Sequence, residues 1–170
     1  HTETTTADLI KSLKEQKYDM IFCSKSEKEK NIEFIPVSAQ KLVLIVPSNH
    51  ELAKYDSITL EQTVEYPQIV FSSKSGLRQI IDNLFDSIGK KPQITYEIEE
   101  DQVIAGLVSN NFGIAIVPYM PILKFMDLKT IEIKSPTWER NFYLAVLKDK
   151  TLTPIAENFK SFVIENYTLD

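Results

Sequence analysis

The sequence predicts an α/β fold, and three observations carry that prediction. Short runs rich in β-branched and aromatic residues alternate with helical stretches from one end to the other. Most helical stretches open on a residue able to cap them. No repeat, low-complexity tract or flexible linker interrupts the alternation. Alternating β and α units imply a mostly parallel sheet, in which ligands sit at the carboxyl ends of strands beside helix N-termini.

The elements follow in order. Leu9, Ile10 and Leu13 mark a first helix behind a run of threonines, with Thr5 and Asp8 at capping-box spacing. Strands are expected over residues 18–23, 32–37 and 41–46. Thr59 and Gln62 repeat the capping-box spacing at a short helix, and residues 68–71 form the next strand. Leu77, Ile80, Ile81, Leu84, Phe85 and Ile88 recur at the three-and-four spacing of one helical face, between Ser75 as N-cap and Gly89 as the stop. After a strand over residues 93–98, Asp101 caps a helix whose apolar face is Val103, Ile104, Leu107 and Val108. In SNNFGIAIVP, residues 109–118, Asn110, Asn111 and Gly113 let the chain leave that helix and turn into a buried strand that Pro118 ends. Strands over residues 128–133 and 142–147 precede a last helix, opened by Thr153 and Pro154, which turns Ile155, Phe159, Phe162 and Val163 to the core.

Composition excludes several function classes. A chain of 170 residues suffices for one core or two small lobes, and its 43% apolar and 25% charged content is that of an ordinary soluble protein. No apolar run approaches the roughly 20 residues of a membrane span, so no membrane partner is expected. The net charge of −5 repels phosphate, and the lysines of residues 25–30 are interleaved with Glu27 and Glu29, so this chain alone is not expected to bind DNA. The single cysteine, Cys23, can form no internal disulfide and lacks the neighbours of a metal site, which suits the cytoplasm. The opening HTETTT has no methionine or leader signature and reads as part of something longer.

Catalytic groups are scarce. The sequence has no G-x-S-x-G, P-loop or H-E-x-x-H, only four glycines, and two histidines, His1 at the terminus and His50 in a polar turn. No enzyme activity, cofactor or metal is expected. The acidic run Glu99, Glu100 and Asp101 reads either as a cation or acid–base site, or as a helix start whose carboxylates favour the positive end of the dipole. Two clusters suit binding: Thr4, Thr5 and Thr6 before the first helix, and Ser72, Ser73, Lys74, Ser75 and Gly76 between a strand and a helix. Each offers hydroxyls, backbone N–H groups and the positive end of a dipole, which suit a carboxylate or similar anion. Capping alone accounts for one hydroxyl in each.

The order of these pieces resembles the carboxy-terminal effector-binding domain of LysR-type transcriptional regulators. The resemblance rests on TADLIKSLKEQKYDMIF, on LVLIVPSNHELA, on FSSKSGLRQIIDNLFDSIGKKPQI, and on residues 107–118, and it covers residues 4–165. Glu51 stands where the family has a proline and Asn111 where it has a first glycine. The family's first strand and helix of this domain, like its winged helix-turn-helix, would lie upstream of His1.

The resemblance implies a periplasmic-binding-protein-like fold of type 2, with two Rossmann-like lobes joined by two crossing strands. Lobe 1 is expected at residues 1–46 plus 148–170 and lobe 2 at 47–147, with the first βα unit of lobe 1 missing. Effector contacts are expected at Thr5, Thr6, Pro47, Ser48, Ser73, Lys74, Ser75, Glu100, Asp101 and Gln102, around a carboxylate or amino acid held between the lobes. The implied function is effector sensing in the cytoplasm by a homodimer or tetramer that meets DNA only through an N-terminal helix-turn-helix not present here. An extracytoplasmic solute-binding protein of a transporter, with a secretion signal upstream, and a prephenate dehydratase-like enzyme domain are the alternatives. The sequence names neither the effector nor the target genes.

Overall fold

Three helices end in one way, which shows how local the signals are in this computed structural model, where residues 5–167 are described. His1 and Thr4 lie outside those residues. In α1 (Thr6–Lys14), α2 (Gly76–Ser87) and α3 (Asp101–Ser109), the residue after the C-cap takes the left-handed conformation, at Gln16, Gly89 and Asn111 with φ of 57°, 65° and 66°. Each chain then folds back so that two N–H groups reach free carbonyls of the last turn: Lys17 to Ser12 and Gln16 to Leu13, Lys90 to Phe85 and Gly89 to Asp86, Phe112 to Leu107 and Asn111 to Val108. Gly89 and Asn111 advertise this conformation, whereas Gln16 does not.

The chain forms two units, residues 1–40 with 139–170, and residues 41–138. In the first, strand β1 (Ile21–Cys23) pairs antiparallel with β8 (Glu139–Leu147), which lies between β1 and the opening residues of β2 (Ile32–Pro47). Alternation along β2 sends Ile32 to one face, where Ile10 and Leu13 of α1 meet Ile21, Cys23 and Ala145. It sends Ile35 and Val37 to the other, with Leu144 and Val163 of α4 (Pro154–Tyr167). Of the residues expected to face the core from α4, only Val163 does. Ala156 is the helix's other buried residue, Ile155 is 83% exposed and Phe162 52%, and Phe159 is half-exposed. Periodicity identified the apolar positions of α4 but not the extent of the surface that covers them.

In the second unit, the later residues of β2 pair antiparallel with β6 (Ala115–Pro118), Leu42 facing Pro118, and with β7 (Leu128–Ser135), Val43 facing Glu132. Strand β3 (Ser57–Thr59) lies parallel to β7, and β4 (Pro67–Phe71) parallel to β5 (Gln93–Ile98). The sheet is therefore mixed where the alternating pattern predicted mostly parallel pairing, because β2 runs against both β6 and β7. The segments expected as separate strands at residues 32–37 and 41–46 are one 16-residue strand. Ser38, Ala39 and Gln40 between them carry no apolar signal, yet the backbone stays extended. Leu44, Ile45 and Val46 are all fully buried, as expected of a strand covered on both faces.

Candidate functional site

Parallel pairing of β4 with β5 places two helix N-termini at one sheet edge. Phe71 faces Ile98 at the strands' carboxyl ends, and Ser72 N–H donates to Ile98 O at 3.0 Å. From there one chain enters the turn of residues 72–75 that starts α2, and the other enters residues 99–100, which start α3. Ser73, Lys74 and Ser75 are thereby brought to the same edge as Glu100, Asp101 and Gln102.

The hydroxyls of the first turn divide by role. Ser75 Oγ accepts from Leu77 N–H at 3.2 Å and is the N-cap, as expected. Ser72 Oγ is buried without a hydrogen-bond partner among the described residues, and Ser73 and Lys74 are exposed. A buried hydroxyl left unpaired is costly, so a ligand atom at this turn would gain a ready contact. At α3 the cap lies one residue earlier than expected. Glu100 occupies the N-cap position without capping through its side chain, and Asp101 is the first helical residue, its Oδ1 accepting from Gln102 N–H at 2.8 Å. That carboxylate is committed to the helix end, leaving Glu100 and the exposed Gln102 amide free to face a ligand.

The other expected contacts lie on other elements. Pro47 is the buried last residue of β2, and Ser48 Oγ donates to Asp127 Oδ1 at 2.7 Å. Asp127 is 79 positions away in sequence, and no sequence signal pointed to it. In the first unit, Thr5 caps α1: its Oγ1 accepts from Asp8 N–H at 3.2 Å and donates to the Asp8 carboxylate at 2.6 Å. Thr6 is the first residue of the helix, half-buried, with no side-chain hydrogen bond among the described residues.

Behind the serine turn lies a brace the sequence reading did not assign. Arg78 Nη1 donates to Phe71 O at 2.9 Å and to Glu97 Oε1 at 3.2 Å, while Nε donates to Asp82 at 3.1 Å. Burial opposes the guanidinium charge, but the hydrogen bonds to Asp82 and Glu97 outweigh it, so the pKa is raised and the group stays charged. One side chain thus fixes α2 to both β4 and β5.

His50 and Cys23 both have structural surroundings. Cys23 is buried and its thiol is pushed up by that burial, so it carries no thiolate. Among the described residues no cluster of three or more His, Cys, Asp or Glu is placed to hold a metal. No helix among them is long and apolar enough to cross a membrane. His50 caps a short 3₁₀ turn, its Nδ1 accepting from Leu52 N–H at 3.1 Å, and packs on the Tyr66 ring. Tyr66 Oη donates to Glu51, and that hydrogen bond pushes the phenol up to about 12. Burial lowers the His50 pKa, and the Glu51 charge only partly offsets this. The unfolded chain therefore binds the proton more tightly. Stability is full above the unfolded value of about 6.5 and falls as the pH drops below it. We expect His50→Asn, which keeps a capping side chain, to flatten the pH dependence of stability between about pH 5 and 7; urea titrations across that range check this.

Comparison with known proteins gives this arrangement its family. Residues 1–168 match the LysR substrate binding domain. The HTH-type transcriptional regulator YybE of Bacillus subtilis is 31% identical over 160 residues, which are 94% of this chain and 55% of that protein. This chain spans about half the length of the curated relatives it matches. The effector-binding domain of QuiR, solved in complex with shikimate, is 42% identical with a TM-score of 0.65, over 95% of this chain and 78% of that one. The regulatory domain of CcmR from Synechocystis PCC6803, solved with 2-PG, shares the fold at 20% identity and a TM-score of 0.68, over 95% and 79% of the two chains. With two helix N-termini converging at the carboxyl ends of parallel strands and a family match along nearly its whole length, this chain belongs to the LysR substrate-binding domains and has their type 2 periplasmic-binding-protein-like fold.

Proposed function

We propose that this chain is the small-molecule-sensing domain of a LysR-type DNA-binding regulator, with no catalysis of its own, working in the cytoplasm as part of a homodimer or tetramer. Its two units serve as the two lobes, and DNA is met through a helix-turn-helix elsewhere in the protein. The observation that carries the sensing role is the turn of residues 72–75, where a buried unpaired hydroxyl, a lysine and a helix N-terminus meet a second helix N-terminus. Oriented N–H groups and a lysine favour a carboxylate, and the hydroxyl and amide groups of Ser73 and Gln102 favour a ligand that also carries hydroxyls. The 42% identity to a domain solved with shikimate makes a hydroxylated cyclic carboxylate the first compound to test. Binding acts by differential affinity: a ligand that prefers one conformation of the regulator shifts the population toward it.

The test is thermal unfolding with and without ligand. Shikimate at 100-fold its Kd stabilises a folded state that alone binds it by about 2.7 kcal/mol, which for a chain this size raises the Tm by roughly 5–10 °C. Ser75→Ala and, separately, Thr6→Val are expected to weaken binding by about tenfold in a calorimetric titration. The Ser75 variant also loses about 1 kcal/mol of capping, so affinity and not Tm is the readout. A panel of hydroxylated carboxylates, phosphorylated acids and amino acids that leaves the Tm of folded protein unmoved would overturn the reading.

A further inference from the structure

The edge of the second unit where α2 and α3 start has a third side. Gln68 of β4 bridges Ile114 in parallel, and Ile69 N–H donates to Ile114 O at 2.9 Å, so β6 runs beside β4 in the same direction and ends at the same edge. Carried forward, that register sets Tyr119, the residue after β6, at the level of residues 72–73, and neighbouring strands lie only roughly 5 Å apart. On its other side Tyr119 N–H donates to Lys41 O of β2 at 2.9 Å, which holds the backbone there. Residues 114–118 are all buried, and exposure begins at Tyr119, whose ring is 41% exposed. Among the described residues this ring stacks on no other and its hydroxyl makes no hydrogen bond. A fixed backbone thus presents an uncommitted aromatic side chain beside the serine turn.

We propose that Tyr119 is a specificity-determining residue of the candidate site, a flat apolar face that selects ring-bearing hydroxylated carboxylates over open-chain ones. The inference rests on the effector reading and adds to it a residue and a rule of selection. The side chains on the two turns, Ser73, Lys74, Glu100 and Gln102, offer charge and hydrogen bonds but no apolar surface. Alone they would treat a ring and an open chain with the same groups nearly alike. A ring also has a C–H face, and an aromatic side chain covers such a face over a large area while ordering only two torsions of its own. An open chain loses more rotational freedom on binding and has no flat face to set against the ring. Tyrosine suits the place better than phenylalanine because its hydroxyl stays wet at the rim while the ring covers the ligand.

The test is calorimetric titration of the unsubstituted chain and of Tyr119→Phe, Tyr119→Ala and Tyr119→Leu with shikimate, a hydroxylated cyclic carboxylate, and with gluconate, an open-chain one. The unsubstituted chain should bind shikimate at least about tenfold more tightly than gluconate. Tyr119→Ala should weaken shikimate about tenfold, Tyr119→Phe less than about threefold, and Tyr119→Leu, which keeps apolar bulk without the flat face, by an intermediate factor. Without ligand, Tyr119→Leu should melt within about 3 °C of the unsubstituted chain, so it reports on binding even where Tyr119→Ala loosens the fold. Equal affinity for the two compounds would overturn the proposal, as would shikimate binding unchanged within twofold in both Tyr119→Ala and Tyr119→Leu. A loss in Tyr119→Phe as large as in Tyr119→Ala would overturn it too, because the hydroxyl and not the ring would then be recognised. In each of these cases the effector reading stands. Failure of shikimate to bind the unsubstituted chain would overturn the ring-selective role, and the effector reading would then be decided by the wider panel of acids above.

Discussion

Gly113→Ala is expected to lower the stability of the second unit by about 2–4 kcal/mol, the largest loss we foresee for the addition of a single methyl group. Gly113 has a φ of 151°, a conformation L side chains rarely adopt, and a Cβ built there would lie 2.8 Å from Pro67 O. That carbonyl cannot retreat, because it accepts the Ile114 N–H at 3.0 Å, while Ile69 N–H donates to Ile114 O at 2.9 Å. These two bonds tie the start of β4 to the entry of β6, so a methyl at position 113 forces the strands apart or the backbone into strain. Urea unfolding monitored by circular dichroism should show the midpoint falling with little change in slope. By contrast Asn111→Gly should be close to neutral, since the left-handed conformation at residue 111 carries no comparable clash.

The second large effect is expected at Arg78. Arg78→Met keeps much of the packing but removes the donor to Phe71 O and both carboxylate contacts. The guanidinium side chain is only 15% exposed, so its bond to the Phe71 carbonyl should account for most of a loss of about 2–3 kcal/mol. Asp82 and Glu97 are far more exposed, and their ion pairs contribute little. Glu97→Gln should therefore cost no more than about 0.5 kcal/mol. Because Phe71 leads directly into the serine turn, Arg78→Met should also weaken effector binding severalfold, whereas a core substitution of equal stability cost elsewhere should not. Denaturant midpoints and calorimetric titrations on the three variants separate these outcomes.

How much of this was legible in the sequence follows from the range of each interaction. Helix α2 could be read between Ser75 and Gly89 because its cap, apolar face and stop are all local. The turn at Asn111 was legible for the same reason. The continuity of β2 through Ser38, Ala39 and Gln40 was not, since it shows in the backbone and leaves no apolar trace in the side chains. The exposed face of α4 was misread because apolar spacing records what can be buried, not what is. In the candidate site the serine turn and the start of α3 could be named from residue type. Their meeting at one edge depends on the pairing of β4 with β5, and the partners Asp127 for Ser48 and Glu97 for Arg78 lie 79 and 19 positions away.

The parallel pairing of β4 and β5 also bears on how specificity can evolve. The side chains we propose for ligand contact, Ser73, Lys74, Glu100 and Gln102, stand exposed on two turns, whereas Phe71, Phe85 and Ile104, on the elements that flank those turns, are buried. Recognition and support are thus assigned to different residues within a single stretch of 38 positions, 67–104. Substitutions on the turns can change the ligand without weakening the core that presents it. If the proposed site holds, such a scaffold can change its ligand by single steps, each of them a folded protein.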